Sequence, residues 1–169
     1  MKQEEIDQKF IRRTIALSEV ALKHDGAPFG ALIVKDGKII AESANDSKGR
    51  VSNHAEVLAL DSAHKKLKTS DLSGCTLYSN CEPCPMCSFM AREYKVSRVV
   101  FAIPSPFMGG YSKWDILQDD EITQFKPFFS TPPKVISGIF EKEAMAVFKK
   151  TPLWWIFGSD AKNNRPTRL

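Results

Sequence analysis

The sequence lacks the long hydrophobic runs that membrane-spanning helices require. No stretch of its 169 residues approaches the roughly 18 uninterrupted apolar residues of a membrane span. The first ten residues are too charged for the apolar centre of a secretory signal. Hydrophobic residues make up 43% of the chain and charged residues 26%, which is the balance of an ordinary globular protein. We therefore expect a soluble, cytoplasmic, single-domain protein without a membrane partner.

Most of the chain also lacks a surplus of charge. The formal net charge is +4, and residues 149–169 account for all of it, since they hold five Lys or Arg and one Asp. Nothing in residues 1–148 demands a polyanionic partner, which favours a small-molecule substrate. The basic tail could still contact phosphate, so a nucleic-acid partner such as tRNA stays open as the second interpretation.

The cysteines are few and are not spread along the chain. The four of them, Cys75, Cys81, Cys84 and Cys87, lie within thirteen positions. Disulfide frameworks distribute their cysteines over small secreted domains, whereas tight clustering is typical of metal or redox chemistry.

No repeats or internal linkers are found before the tail, so residues 1–151 are interpreted as one domain and residues 152–169 as an aromatic and basic tail. Hydrophobic periodicity predicts helices over residues 4–24, 54–67, 84–94 and 141–150, with a weaker helical pattern over 114–125. Short apolar runs predict strands over residues 29–34, 39–42, 76–79, 96–103 and 135–140. Asp36-Gly37 predicts a hairpin between the first two strands. This order predicts an α/β fold, a three-layer α/β/α sandwich around a five-stranded mixed sheet.

Two distant segments carry the chemistry: His54-Ala55-Glu56 and Pro83-Cys84-Pro85-Met86-Cys87. Cys84 and Cys87 share a face of a predicted helix because they are three residues apart, and His54 would complete three ligands to one Zn²⁺ ion. Three protein ligands leave the fourth tetrahedral position for water, whose pKa zinc can lower from 15.7 to about 7. Glu56, two residues after His54, is placed to take the proton of that water.

Other interpretations of the cysteines remain open at this point. A structural zinc site would leave Glu56 without a role. Cys81, Cys84 and Cys87 form the opening of a bacterial iron–sulfur motif, although the fourth cysteine and its proline are missing. Cys84 and Cys87 also match a redox pair.

A histidine and glutamate in H-x-E, followed by P-C-x-x-C, form the signature of zinc-dependent nucleobase deaminases. Over residues 6–150 the chain resembles the cytidine deaminase superfamily, and within it the branch of bacterial guanine deaminases and tRNA adenosine deaminases. The likeness is carried by residues 28–31, Asn45, residues 54–56 and residues 81–87. It implies a cytidine deaminase-like fold, one zinc ion per chain and a homodimer.

The same resemblance implies roles for individual residues. Glu56 would move protons between water, a ring nitrogen and departing ammonia, while His54, Cys84 and Cys87 hold the zinc. Asn45 would hydrogen-bond the substrate, the Ala55 backbone N–H would bind an oxygen of the base, and Phe29 would pack on its ring. From the residues alone, Asn45 could instead stabilise a turn and Phe29 could belong to the core.

Three features favour guanine as the substrate, which hydrolysis would convert to xanthine and ammonia. Phe29 resembles guanine deaminases, Asp115 falls where those enzymes place an acid that binds the purine's N–H groups, and residues 1–148 have no basic surplus. Asp115 could also be only a helix N-cap. A tRNA adenosine-to-inosine deaminase is the alternative, and a catalytically silent zinc-binding partner subunit is a further one.

The sequence departs from this family pattern in three places: residues 50–53, residues 104–106 and residues 153–157. The last segment is aromatic. In guanine deaminases a C-terminal aromatic segment covers the active site, so we expect Trp154 or Trp155 to do so here, from the same chain or from a partner subunit.

Overall fold

A five-stranded mixed sheet with four α-helices forms the centre of the chain. The computed structural model describes residues 2–152 and 154–163. The elements are α1 (Gln3–Lys23), β1 (Gly30–Lys35), β2 (Lys38–Ala44), α2 (Ala55–Leu67), β3 (Thr76–Cys81), α3 (Pro85–Glu93), β4 (Arg98–Ile103), β5 (Lys134–Ser137) and α4 (Glu141–Phe148).

The strands lie in the order β2-β1-β3-β4-β5. β1 pairs antiparallel with both β2 and β3, whereas β3, β4 and β5 are parallel to one another. The predicted hairpin is confirmed, since Asp36 and Gly37 connect β1 to β2 with φ of 50° and 72°. Positive φ at both central positions is the geometry that makes Asp-Gly favourable in such a turn.

Helices cover both faces of the sheet, as predicted. α1 and α4 pack on one face, where their apolar residues meet Leu32, Tyr78 and Val100. α2 and α3 pack on the other face, against Ile33 and Leu77. The structure is thus a three-layer α/β/α sandwich with one core on each side of the sheet.

Four strand ends and two helix starts meet at one edge of this sheet. β3 and β4 end there, and because β1 is antiparallel to β3, β1 begins there and β2 ends there. α2 and α3 also begin at this edge, with His54 and Cys84 as their N-cap residues. The side chains predicted to carry the chemistry are therefore gathered at one place.

The helix predicted over residues 114–125 is wrong. This part of the chain consists of turns and a short 3₁₀ helix, Glu121–Gln124. The buried Arg92 side chain donates hydrogen bonds to the backbone oxygens of Ile116, Asp119 and Ser130. The guanidinium thus satisfies carbonyls that an α-helix would have satisfied within itself.

The last predicted strand also ends early, at Ser137. Gly138 and Phe140 both have positive φ, so the chain turns into α4 there.

Part of the tail lies outside the described residues, namely Leu153 and residues 164–169, which include Arg165 and Arg168. Trp154–Ile156 forms a 3₁₀ helix. Among the helices in the described ranges, none is long and apolar enough to cross a bilayer.

Gly30 supports a close approach of α1 to β1 that any side chain would disturb. A Cβ added at Gly30 would overlap the backbone oxygen of Thr14 and lie 2.6 Å from Leu17 Cβ. We therefore predict that Gly30→Ala lowers the free energy of unfolding by about 1–3 kcal/mol, as overpacking does in other cores.

Denaturant unfolding measures this cost. The matched control is Gly49→Ala, whose added Cβ would meet only ordinary contacts of 3.4 Å or more, and which should stay within about 0.5 kcal/mol of the wild type. Equal stability of the two variants would contradict the prediction.

Candidate active site

The three predicted metal ligands converge in the structure. His54 Nδ1 lies 3.5 Å from the Sγ atoms of both Cys84 and Cys87, and the two sulfurs are 3.5 Å apart. Of the His, Cys, Asp and Glu residues in the described ranges, these three form the cluster whose ligand atoms could hold one metal ion.

This donor set fits a zinc ion. Zn–S distances of about 2.3 Å and Zn–N distances of about 2.0 Å place tetrahedral ligands about 3.5–3.8 Å apart, close to the separations found here. Soft sulfur and imidazole donors suit Zn²⁺, and three protein ligands leave one position for water or substrate.

The two cysteines differ in their affinity for a proton. The pKa of Cys84 is lowered to about 4, chiefly by its hydrogen bond with Cys87 and further by His54. That same hydrogen bond raises the pKa of Cys87. Both residues lie in the first turn of α3, where the free backbone N–H groups favour negative charge.

The remaining cysteines lie elsewhere. Cys75 is buried in the core under α2 and α3, and Cys81 is buried in the core on the α1 and α4 side. Cys81 is not part of the ligand cluster. The geometry therefore gives no support to an iron–sulfur site built on Cys81, Cys84 and Cys87.

Glu56 lies beside the cluster in the first turn of α2 and is only 3% exposed. Ser79 donates a hydrogen bond of 3.1 Å to its Oε1, and the Cys87 sulfur lies 3.7 Å from its Oε2. Burial raises the pKa of the Glu56 carboxyl above its usual value. The carboxylate is thus held next to the open side of the metal site.

A cavity of about 560 Å³ opens onto His54, Glu56 and Cys84. Its other walls come from the loop before β1, the start of α3, the loop after β4, the end of α4 and the C-terminal segment. They are formed by Asp25, Gly26, Ala27, Pro28, Phe29, Glu82, Ser105, Met108, Phe148, Thr151, Pro152, Ile156 and Phe157.

The C-terminal segment reaches this cavity from the same chain. Phe157 packs edge-on against Phe29 and Phe148, with ring centroids 5.8 and 4.8 Å apart. Neither Trp154 nor Trp155 lines the cavity, and Trp154 instead borders a separate groove along α4. Within this chain, Ile156 and Phe157 line the cavity in place of either tryptophan.

The predicted substrate-binding residues are only partly brought together. Phe29 lines the cavity. Asn45 and Ala55 are buried and adjoin lining residues, but neither is itself among the residues that line the cavity. Asn45 donates its backbone N–H to Phe29 O at 2.9 Å, and its Oδ1 accepts hydrogen bonds from Ser47, which is the turn-stabilising arrangement.

Asp115 does not line the cavity. It is exposed in the turns that replace the predicted helix, with φ of 61°. Its assignment as a substrate ligand has no support in this geometry, and neither has the alternative of a helix N-cap. The position of Asp115 along the chain was a poor guide to its place in the structure, because residues 104–116 form loops and turns.

Two polar residues of the site were missed from the sequence. The Asn80 side chain accepts from Gly30 N and donates to Pro28 O, both at 2.8 Å, and so fixes the segment that carries Phe29. Glu82, which lines the cavity, accepts hydrogen bonds from the loop after β4. The available signal was their position at the end of a buried strand, directly before the cysteine motif.

Comparison with known proteins agrees with this geometry. The model of the cytidine and deoxycytidylate deaminase zinc-binding region matches residues 4–103. A His/Cys/Cys zinc site with a glutamate two residues after the histidine is characteristic of zinc-dependent hydrolytic deaminases. The chain belongs to the cytidine and deoxycytidylate deaminase family.

Relatives with two different substrates are similar to the chain. A tRNA-specific adenosine deaminase of Bacillus subtilis is 35% identical over 141 residues, covering 81% of this chain and 83% of that protein. A guanine deaminase of the same organism is 46% identical over 83 residues, covering 47% of this chain and 53% of that protein. A solved tRNA:A34 deaminase superposes with a TM-score of 0.73 at 27% identity, over 82% of this chain and 98% of that one.

The three-residue ligand cluster leads to a prediction about the zinc content of the protein. We predict that Cys87→Ala lowers bound zinc from about one ion per chain to less than about 0.1, because two remaining ligands hold zinc poorly. Elemental analysis of purified protein measures it.

Cys75→Ala is the matched control, since Cys75 is equally buried but lies outside the cluster, and it should retain the metal. Zinc retained in Cys87→Ala, or iron in the wild type, would refute the assignment of the site.

Proposed function

We propose that this deaminase acts on a free purine base, and that guanine is converted to xanthine and ammonia. The observation that carries the proposal is the character of the cavity wall. Among the lining residues that the structure describes, none is Lys or Arg. A site that bound nucleotide phosphates at the cavity would need such cations, because phosphate contacts supply much of the affinity for nucleic acid.

The shape of the cavity also favours a small planar ring. Its volume of about 560 Å³ lies within the usual range of about 300–1,000 Å³ for small-molecule sites. Phe29 and Phe157 form an aromatic wall, and Ile156 adds apolar surface from the same chain. Aromatic rings of this kind bind a purine by stacking and edge contacts.

The chain's own residues supply the proton transfers of this hydrolysis. Zinc held by His54, Cys84 and Cys87 would supply an activated water at neutral pH. Glu56 would accept a proton as the water oxygen bonds to the amine-bearing carbon, and would pass it to the adjacent ring nitrogen. Glu56 would then take the remaining proton of the newly bonded hydroxyl group and give it to the amino group, so that the C–N bond breaks with ammonia as the leaving group and a carbonyl remains.

The hydrogen bond from Ser79 and the burial of Glu56 hold its carboxylate in place for these proton transfers. The hydrogen bond from Ser79 fixes one carboxylate oxygen and leaves the other directed toward the metal ligands. A residue that both accepts and gives a proton must keep one orientation through both steps.

A second candidate function is deamination of adenosine in tRNA. Its support is a relative that covers 81% of this chain, a tRNA-specific adenosine deaminase, together with the basic residues of the tail. A third candidate function is that of a catalytically silent zinc-binding subunit, in which the Glu56 side chain would have no catalytic role. Assays of ammonia release with guanine, guanosine, adenine, cytosine and a tRNA anticodon stem-loop separate the three.

We predict that guanine gives the highest kcat/KM of this panel and that Glu56→Gln lowers kcat for guanine by about 10³-fold or more while zinc content stays unchanged. The amide cannot exchange a proton with the water, and general acid–base catalysis is worth about 10²–10⁴-fold at a single residue.

The control is Glu93→Gln, at an exposed position of α3, which should behave as the wild type. Turnover confined to the stem-loop would move the function to tRNA. Normal turnover by Glu56→Gln would refute the mechanism, and zinc-loaded protein without any turnover would favour the silent subunit.

The C-terminal segment supplies a further prediction. Truncation after Lys150 removes Thr151, Pro152, Ile156 and Phe157 from the cavity wall, so we predict that KM for guanine rises about tenfold or more. Ile156→Ala should raise KM in the same direction with less effect on folding, since it leaves the Phe157 packing in place.

Truncation after Asn163 is the control, because it removes Arg165 and Arg168 and keeps every wall residue that the structure describes. It should leave guanine turnover unchanged. Unaltered KM in both the Lys150 truncation and Ile156→Ala would show that the segment does not contribute to substrate binding.

A further inference from the structure

The carboxylate of Glu82 gathers an unusual set of donors from one loop. Its Oε2 accepts the backbone N–H of Ser105 at 2.7 Å, and its Oε1 accepts those of Tyr111 and Ser112 at 3.0 and 2.7 Å. The Ser112 hydroxyl lies 2.8 Å from Oε2 and 3.0 Å from Oε1. We call residues 105–112 the wall loop.

Glu82 is buried, at 4% exposure, and the wall loop closes tightly around it. A Cβ added at Gly109 would overlap Oε1 and lie 2.6 Å from Oε2. Gly109 is therefore needed for the Glu82 carboxylate to fit against the wall loop. A buried carboxylate is stable only when hydrogen bonds replace its water, which the three amides and the hydroxyl do.

The wall loop is tied at the same time to the metal-binding segment. Gly110 N donates to Pro83 O at 2.8 Å, directly before Cys84, and Glu82 itself directly precedes Pro83. Ser105 and Met108 of the wall loop line the cavity. Glu82 thus connects the segment that holds two zinc ligands to one wall of the substrate cavity.

The Glu82 carboxylate is poorly suited to transfer protons, because its oxygens are engaged in hydrogen bonds. Both oxygens already accept hydrogen bonds from the wall loop. Glu56, in contrast, has one oxygen near the metal ligands and one bond from Ser79. The two glutamates of the cavity therefore differ in their capacity to transfer protons.

We propose that Glu82 is a positioning residue: it fixes the wall loop against the zinc-binding segment and so sets the substrate's place in the cavity, without taking part in proton transfer. This role rests on deamination at this site, but not on guanine being the substrate.

Hydrogen exchange of the backbone amides tests the proposal without any substrate. In Glu82→Gln the single amide oxygen can replace either Oε1 or Oε2, so at least one group of donors loses its acceptor. We expect the group that loses its acceptor, either the amide of Ser105 or those of Tyr111 and Ser112, to exchange about tenfold faster or more. Exchange of Leu72, whose N–H donates to Tyr94 O outside the wall loop, serves as the internal reference.

Steady-state kinetics test the functional consequence with whichever member of the panel the wild type deaminates. We expect Glu82→Gln to raise KM about fivefold or more, to leave kcat within about twofold and to retain zinc, since lost binding contacts act on KM. Ser112→Ala, which removes only the hydroxyl, should show the same pattern more weakly and safeguards the test if Glu82→Gln folds poorly. Glu42→Gln is the matched control. Glu42 lies on the outer strand β2, and its carboxylate pairs with Arg13 of α1.

Unchanged amide exchange in both variants would overturn the proposal. A fall in kcat of about 100-fold with unchanged KM would also overturn it, because that pattern belongs to a group that acts in the chemical step. Failure of the guanine proposal would leave the exchange test intact.

Discussion

The site depends on bringing one nitrogen and two sulfurs within 3.5 Å of one another from two separate helices. The sheet makes this possible, because α2 and α3 both begin at the edge where β3 ends. His54 and Cys84 stand at the N-caps of those helices, and Cys87 follows one turn later. Helix N-termini favour thiolate ligands, so the local electrostatics and the metal chemistry agree.

Around this centre the acids of the site have distinct environments. Glu56 is buried beside the ligands with one hydrogen bond from a side chain, while Glu82 is held by a whole loop. Burial of either carboxylate without such partners would cost several kcal/mol. The hydrogen bonds therefore both stabilise the fold and define which acid is available for proton transfer.

The sequence was a reliable guide wherever a residue's role is local. The periodicity that predicts the four α-helices, the Asp36-Gly37 turn and the spacing of Cys84 and Cys87 depend on neighbours along the chain, and the structure confirms all three. Roles that depend on tertiary contacts were harder to predict. The turns around Asp115 follow from hydrogen bonds of Arg92 to distant carbonyls, and the use of Phe157 rather than Trp154 follows from packing on Phe29. No short pattern in the sequence encodes either contact.

The central claim, that the cavity receives a free base rather than a nucleotide of RNA, is tested most directly by binding. The measurement is the dissociation constant of zinc-loaded Glu56→Gln protein for guanine and for a tRNA anticodon stem-loop, at several salt concentrations. Our account predicts that guanine binds more tightly and that its affinity varies little with salt, because the lining residues that the structure describes include no Lys or Arg. Tight stem-loop binding that weakens steeply with salt, together with weak guanine binding, would contradict it.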